Sequence, residues 1–267
     1  MSAGTSHPAV GDAPAARWVL LGASNLTRRL SLVLDSLRQH SPAPLDVLAA
    51  DGNGRSYGQT SRVLWRKLPG ILRCGLWPAL AERPPAPTSA LLTDIGNDIL
   101  YHVPVDQIVR WIDECLTRLT DAGARTSMTG LPIDNFQGLS PGRFLFFRRL
   151  LAPHCRLSLD VVRERAFELN AALIALAARR AVPLVPPSAA WYGLDPMHIR
   201  AASAAHAWQT ILAPGLPTGA AAPIRRQRGQ QWRLLRLRPE QSRHWGREQR
   251  ATQPALRFAD GTTLSLY

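Results

Sequence analysis

Two short stretches, far apart in the chain, carry the residue types of a nucleophilic triad. Ser24 lies in LLGASNL, residues 20–26, where an apolar run ends and a helical pattern begins. A hydroxyl there could cap the helix, belong to an anion site or act as a nucleophile. The N-terminus of a helix also favours an oxyanion. Asp195 and His198 flank Pro196 at a spacing that lets their side chains face each other. The carboxylate would hold the imidazole Nδ1–H and leave Nε2 free as a base.

Two further polar loops follow strand-like runs. DGNGRSYG, residues 51–58, contains glycines that permit close approach of the backbone to a substrate, and DIGND, residues 94–98, contributes the side-chain N–H groups of Asn97. Taken singly, Ser24 is typical of a helix cap, Asn97 of a turn and His198 of a surface or core edge. Taken together in chain order, the clusters favour a nucleophile, a base, an orienting acid and oxyanion donors.

Short apolar runs alternate with helical patterns along the chain, and they must position these loops. The predicted strands are 18–22, 46–50, 90–95, 125–130 and 182–185. The predicted helices are 26–38, 59–67, 105–121, 158–180 and 199–212. This alternation predicts an α/β fold with a three-layer α/β/α, flavodoxin-like parallel sheet, in which ligands gather at the carboxyl ends of the strands.

At these loops the chain resembles the SGNH hydrolases of the GDSL esterase/lipase superfamily. That family carries a Ser block after the first strand, a Gly block after the second, a G-x-N-D block after the third and a D-x-x-H block near the end. The resemblance covers roughly residues 17–213. The matching stretches here are Gly22-Ala23-Ser24, the region of Gly54, Gly96-Asn97-Asp98, and Asp195 with His198.

The resemblance implies a role for each member of the triad. Ser24 would be the nucleophile, His198 the general base and Asp195 its partner. The chain departs from the family at Ala23, where an Asp is usual, so the bracing of this loop must differ.

The resemblance also implies an oxyanion hole. Its donors would be the Ser24 N–H, the Gly54 N–H and the Asn97 side chain, with Gly52 as the alternative to Gly54. No metal and no cofactor is expected. The predicted reaction is cleavage of a carboxylic ester through an acyl-Ser24 intermediate. Short acyl esters, acetylated sugars, lysolipids and thioesters are all open as substrates. The alternative function is a non-catalytic binding protein for an acylated or anionic ligand, with the basic tail contacting a polyanion.

The net charge is distributed unevenly along the chain. Lys plus Arg number 32 against 19 Asp plus Glu, and residues 219–267 carry +7 of the net charge of +13. We expect a loose N-terminal segment at 1–16, a hydrolase domain at 17–213, a linker at 214–223 and an Arg-rich extension at 224–267. Asp260-Gly261 between alternating segments predicts a β-hairpin in that extension.

The Arg-rich extension allows three interpretations. It is a solvated appendage, a surface for anionic partners such as nucleic acid or lipid headgroups, or a contact with a neighbouring subunit. Trp232 and Trp245 among the arginines would support stacking on bases. The sequence leaves the oligomeric state open.

Other features narrow the classes of protein. Three cysteines without metal-ligand spacing indicate buried free thiols. We find neither a signal-peptide pattern nor an apolar stretch of membrane-spanning length, so we expect a cytoplasmic protein. GLSPG, residues 138–142, matches the nucleophile-elbow pattern, but Pro141 lacks the N–H that an elbow needs. The apolar segment 142–153 is either core packing or a lid or acyl-contacting wall beside the site.

Overall fold

A computed structural model describes residues 13–63, 65–217, 230–234 and 236–267. Residues 1–12 and 218–229 lie outside this part, and with them most of the predicted loose N-terminal segment and part of the predicted linker.

The described residues form strands and helices in alternating order. The strands are β1 (Ala16–Leu21), β2 (Leu45–Ala50), β3 (Ser61–Val63), β4 (Arg66–Leu68), β5 (Thr88–Leu92), β6 (Arg125–Thr129), β7 (Leu184–Val185), β8 (Gln241–His244), β9 (Arg247–Arg250), β10 (Leu256–Arg257) and β11 (Thr263–Leu266). The α-helices are α1 (Ser24–His40), α2 (Leu76–Ala81), α3 (Asn97–Leu100), α4 (Val105–Asp121), α5 (Ile133–Gln137), α6 (Pro141–Leu151), α7 (Leu159–Arg180), α8 (Ala204–Leu212) and α9 (Gln230–Leu234).

The central sheet has seven strands in the order β10-β11-β2-β1-β5-β6-β7. All neighbours from β11 to β7 pair in parallel, and only β10 is antiparallel. In the first five α/β units the order β2-β1-β5-β6-β7 is the flavodoxin-like arrangement. The predicted α/β/α fold is therefore confirmed.

The two faces of the sheet bury two separate apolar clusters, because successive side chains of a strand point to opposite faces. On β1, Val19 and Leu21 pack in one cluster, which contains residues of α4 and α7. Trp18 and Leu20 pack in the other, which contains residues of α1 and α8. The helices thus cover both faces, as a parallel sheet requires.

A second, four-stranded antiparallel sheet has the order β3-β4-β8-β9. The helix predicted at 59–67 is wrong, since these residues form β3 and β4. The reason is tertiary: β4 pairs with β8, so that Arg66 lies opposite His244 and Lys67 opposite Arg243. Hydrogen-bond partners so distant in sequence override a local helical pattern.

The C-terminal segment belongs partly to the central sheet. β10 and β11 form an antiparallel hairpin around Asp260 and Gly261, and β11 lies beside β2. Leu264 is fully buried in the core. The structure therefore differs from the predicted separation of 224–267 as an extension, because its last two strands belong to the central sheet.

The described residues agree with the expectation for the cysteines, as Cys74, Cys115 and Cys155 are free and buried. Among the helices of this part of the chain, none is both long enough and apolar enough to cross a membrane.

Candidate active site

Ser24, His198 and Asp195 form a continuous hydrogen-bonded chain. Ser24 is the first residue of α1, directly beyond the carboxyl end of β1. Its Oγ lies 2.9 Å from His198 Nε2, and His198 Nδ1 lies 2.6 Å from Asp195 Oδ2. With the proton assigned to Nδ1, that nitrogen donates to the carboxylate and Nε2 accepts from the serine hydroxyl. The structure thus brings together three residues that sequence reasoning named.

A short turn holds the acid and the base in register. The amides of Met197 and His198 donate to Asp195 Oδ1, at 3.0 and 3.3 Å. Partial burial acts to raise the pKa of Asp195, but hydrogen bonds from the His198 ring and from these amides outweigh it and hold the pKa below its ordinary value. The carboxylate is therefore ionised at neutral pH and can orient an imidazole and stabilise its charged form.

Asp94 follows strand β5 and caps the N-terminus of α1. The N-cap residue of the helix, Ala23, makes no side-chain cap hydrogen bond itself. Asp94 Oδ2 accepts from the amides of Ala23, Asn25 and Leu26 at 2.9, 3.0 and 3.3 Å. Asp94 adopts a left-handed conformation with φ of 60°, a region in which Asp is one of the better tolerated residues. The carboxylate that the family usually carries at Ala23 is absent, but one from a neighbouring loop contacts the same turn.

The Ser24 amide differs from those around it. Within the ranges that the structure describes, we find no acceptor for it, whereas the amides of Ala23 and Asn25 are bound to Asp94. Gly22 lets the turn approach the next strand, since a Cβ at this position would lie 2.7 Å from Thr93 Cγ2. The turn therefore presents one free N–H beside the serine hydroxyl.

Asn25 links this turn to the histidine loop. Its Nδ2 donates to Asp94 Oδ1 at 2.8 Å and to the Met197 carbonyl at 3.0 Å, and its Oδ1 accepts from the Ile199 amide at 2.8 Å. The two main-chain contacts lie immediately before and after His198. Asn25 thus fixes the backbone that carries the base.

The side chain of Asn97 carries a donor without a partner. Asn97 begins α3 and lines the same cavity as Ser24. Its Nδ2 is buried and has no hydrogen-bond partner among the described residues. A buried amide that is left unpaired costs free energy, so such a donor at a cavity wall indicates a ligand or an intermediate that completes it.

The Gly-rich loop after β2 is tied to the loop of Asn97. Gly54 has φ of 61°, which glycine adopts readily, and its carbonyl accepts from the Tyr101 hydroxyl at 2.5 Å. Burial raises the pKa of Tyr101 to about 12, so its hydroxyl remains a donor. Gly52 is buried, and a Cβ there would lie 2.4 Å from Leu68 Cδ1. Neither glycine lines the cavity, and Gly54 has the contact toward Asn97.

Asp98 braces that loop from inside the protein. It is fully buried, and its Oδ2 accepts from the Tyr57 amide at 2.9 Å. Burial raises the pKa of Asp98 to about 6, although hydrogen bonds from the Ser56 side chain and the Tyr57 amide act in the opposite direction. Asp98 holds the Gly54 loop against α3 at the cost of a desolvated carboxyl group.

An apolar cavity opens beside the serine. Its apolar walls include Ile95, Leu131, Phe136 and Val162. Ser24 and Asn97 also line this cavity. Such a cavity suits a hydrocarbon group placed next to a polar reaction centre. Within the described part of the chain, no group of three or more His, Cys, Asp or Glu side chains is arranged to hold a metal ion.

Sequence reasoning missed Asn25 and Asp94 as members of the site. Asp94 appeared in the DIGND stretch, but only Asn97 was given a role there. The departure at Ala23 was the available signal, because a missing carboxylate suggests a substitute from another strand end.

No protein-family model and no curated protein matches the chain. Among solved structures, it is similar to the psychrotrophic esterase EstA from Pseudoalteromonas sp., with 12% identity, 74% of this chain and 95% of that one covered, and a TM-score of 0.46. It is similar to a member of the lipolytic protein G-D-S-L family from Veillonella parvula, with 11% identity, 78% and 100% covered, and a TM-score of 0.45. A further structure has 14% identity, 74% and 96% covered, and a TM-score of 0.53.

The last of these structures shows a shared fold at low identity. The strand order agrees with the prediction from the sequence, and the four sequence blocks follow β1, β2, β5 and β7 along one edge of the sheet. The chain therefore shares an α/β fold with that structure, and its parallel strands have the flavodoxin-like order.

Proposed function

We propose that the protein is a serine esterase-type hydrolase that cleaves a carboxylic ester through an acyl-Ser24 intermediate. One observation carries the proposal: the unbroken hydrogen-bonded chain from Ser24 Oγ through His198 to Asp195, with spacings of 2.9 and 2.6 Å. Nucleophile, base and orienting acid are within the distances that proton transfer needs.

The reaction begins with attack of Ser24 Oγ on the ester carbonyl carbon. His198 Nε2 takes the hydroxyl proton, and Asp195 stabilises the resulting imidazolium. Collapse of the tetrahedral intermediate breaks the bond to the alcohol, which leaves with the proton from His198. A water molecule, deprotonated by the same nitrogen, then attacks the acyl-enzyme and releases the carboxylic acid.

Three donors would stabilise the oxyanion. The Ser24 amide and the Asn97 Nδ2 support this role, because both residues line the cavity and the Asn97 donor is buried without an acceptor among the described residues. We assign the third donor to the Gly54 amide, since Tyr101 ties Gly54 to the loop of Asn97. The apolar wall of the cavity would hold the acyl group.

Covalent labelling tests the proposal directly. A serine-directed fluorophosphonate should modify Ser24, and the Ser24→Ala variant should remain unlabelled. Ester substrates varied in acyl length and leaving group should be hydrolysed with a preference that reports the depth of the apolar cavity. Labelling at another serine, or no turnover of any ester by the folded protein, would contradict the assignment.

The same unpaired donors would also serve a second function, namely binding of an anionic or acylated ligand without turnover. The buried Asn97 Nδ2 favours this alternative as much as it favours an oxyanion hole. Saturable binding of an acyl ester that is recovered intact after prolonged incubation would support this binding function.

The Arg-rich segment supports a secondary proposal of polyanion binding. Arg243, Arg247 and Arg250 are exposed on the four-stranded sheet, where Trp245 stacks on Trp65 with ring centroids 5.2 Å apart. Binding of a single-stranded oligonucleotide that weakens steeply with salt, and weakens further in R247A/R250A, would support this role.

A further inference from the structure

Helix α6 turns an apolar face to solvent. Of its aromatic and leucine side chains only Phe144 is buried, while Leu145, Phe146 and Leu150 are 44%, 61% and 64% exposed. Residues 145, 146, 149 and 150 share one side of a helix because they repeat at i, i+1, i+4 and i+5. The apolar segment 142–153 is therefore mostly not core packing, and its outward side is a surface in its own right.

This surface adjoins the catalytic loop. Arg143 Nη2 donates to the carbonyls of Gly193 and Leu194, at 3.2 and 2.6 Å. Leu194 directly precedes Asp195, and its side chain is 81% exposed. We call Leu145, Phe146 and Leu150 the α6 face; Leu194 is a further exposed apolar residue in the loop that Arg143 contacts. A cluster of exposed apolar side chains that adjoins a site indicates a contact with another molecule, in contrast to apolar residues scattered singly.

The segment that contains α6 carries charges of one sign, and the nearest carboxylate of the adjoining loop, Asp195, is bonded to His198. Residues 139–159 contain four arginines, at positions 143, 148, 149 and 156, and no Asp or Glu. Arg149 lies on the apolar side of the helix, and both Arg149 and Arg156 are exposed. An apolar stripe with interspersed guanidinium groups complements a surface that combines hydrocarbon with anionic headgroups.

We propose that the α6 face docks onto the surface of an anionic lipid bilayer. Phe146 and Leu150 enter the boundary between headgroups and acyl chains, and Arg149 and Arg156 contact the phosphates. Because Arg143 contacts the Leu194 carbonyl, the docked surface lies close to the loop that carries Asp195 and His198. Docking itself requires no turnover, so it is measured independently of the proposed hydrolysis.

The test is sedimentation of the full chain with vesicles. We expect binding to vesicles of phosphatidylglycerol and phosphatidylcholine, and much weaker binding to phosphatidylcholine alone. F146S/L150S should lower the affinity at least about tenfold, as expected for losing two apolar side chains from the interface. R149A/R156A should lower it mainly at low salt. Ser24→Ala should bind like the wild type, whether or not it is active.

Matched controls separate this face from other surfaces. Ile174→Ser removes an exposed apolar residue of α7, 52% exposed, and should leave binding unchanged. R247A/R250A should also bind normally, and a loss confined to this variant would place the lipid contact on the Arg-rich segment and overturn the proposal. Absence of binding to the anionic vesicles would overturn it too. So would a wild-type dimer that F146S/L150S dissociates, because a second copy would then cover the face.

Discussion

Asn25 and Asp94 are joined by two hydrogen bonds, one from the backbone amide of Asn25 at 3.0 Å and one from its side chain at 2.8 Å. The pair connects the turn of Ser24 to the loop of His198, since the same Asn25 side chain binds main-chain groups on both sides of His198. The distance between Ser24 and His198 thus depends on a residue that takes no part in the chemistry.

Replacing Asn25 should therefore impair catalysis more than binding. Asn25→Ala removes both main-chain anchors of the histidine loop, and we expect kcat to fall roughly 10²-fold, as small misplacements of a catalytic group do. KM should change little. Asn25→Asp should do no better than Asn25→Ala, because its carboxylate would face Asp94 and the Met197 carbonyl. A variant with wild-type kcat and an unchanged melting temperature would show that Asn25 has no positioning role.

Ser24→Ala should separate chemistry from stability. The amides at the start of α1 are capped by Asp94, and the N-cap residue makes no side-chain cap hydrogen bond. Loss of the hydroxyl should then cost less than the roughly 1 kcal/mol of a lost cap. Turnover of an activated ester should fall by several orders of magnitude. Near-normal turnover in this variant would remove Ser24 from the mechanism.

Asn97→Ala provides a graded comparison. Its Nδ2 is buried and has no partner among the described residues, so the change should leave the melting temperature nearly unaltered or raised. Removing one oxyanion donor should cost on the order of 10² to 10³ in kcat. A fall in stability with unchanged kcat would instead identify Asn97 as a structural residue.

Asp98 should make stability depend on pH. Its pKa rises from 3.8 in the unfolded chain to about 6 in the fold, so the folded state binds the proton more tightly. This contribution favours the fold below about pH 4 and is lost as the pH rises through about 6, a change of roughly 3 kcal/mol at most. Unfolding in urea between pH 4 and pH 7 should show that the free energy of unfolding of Asp98→Asn rises relative to that of the wild type as the pH increases. Parallel curves would exclude this source of pH dependence.

Residues 256–267 should be required for a stable site. A chain that stops at Thr218 loses β11, one of the two strands that pair with β2, from whose carboxyl end the Gly54 loop begins. We expect such a chain to lose both cooperative melting and ester hydrolysis. Leu264→Ala, at a fully buried position, should cost about 2–5 kcal/mol, whereas Leu194→Ala at an exposed position should cost little. A folded, active truncation would restore the boundary predicted at 214–223.

The alternation of apolar runs and helical patterns was sufficient to predict the parallel sheet and its flavodoxin-like order. It was insufficient at 59–67, where β4 acquires its partner from β8, more than 170 positions later. The hairpin around Asp260 and Gly261 could be predicted from its turn residues. Its place beside β2 could not, because no local pattern specifies which edge a distant strand joins.

For the site, residue types and spacing were sufficient to name Ser24, Asp195, His198 and Asn97. These side chains belong to short stretches whose chemistry is visible locally. Asn25 and Asp94 act through hydrogen bonds that span up to 174 positions, and a linear pattern contains no such information. The apolar residues of the α6 face were evident in the sequence. Their exposure was not, because it depends on how α6 packs against the rest of the fold.

The buried Arg55 has a consequence for the order of events in biosynthesis. Its guanidinium donates to the Asp51 carbonyl at 3.1 Å and also to the main-chain oxygen of Tyr267, 212 positions away. This contact of the Gly54 loop can therefore form only after residue 267 has been translated, later than the contacts of the same loop with Asp98 and Tyr101. Contacts of such long range form late and slowly. A nascent chain that has been translated through Ser24 but not through Tyr267 lacks this brace of the Gly54 loop.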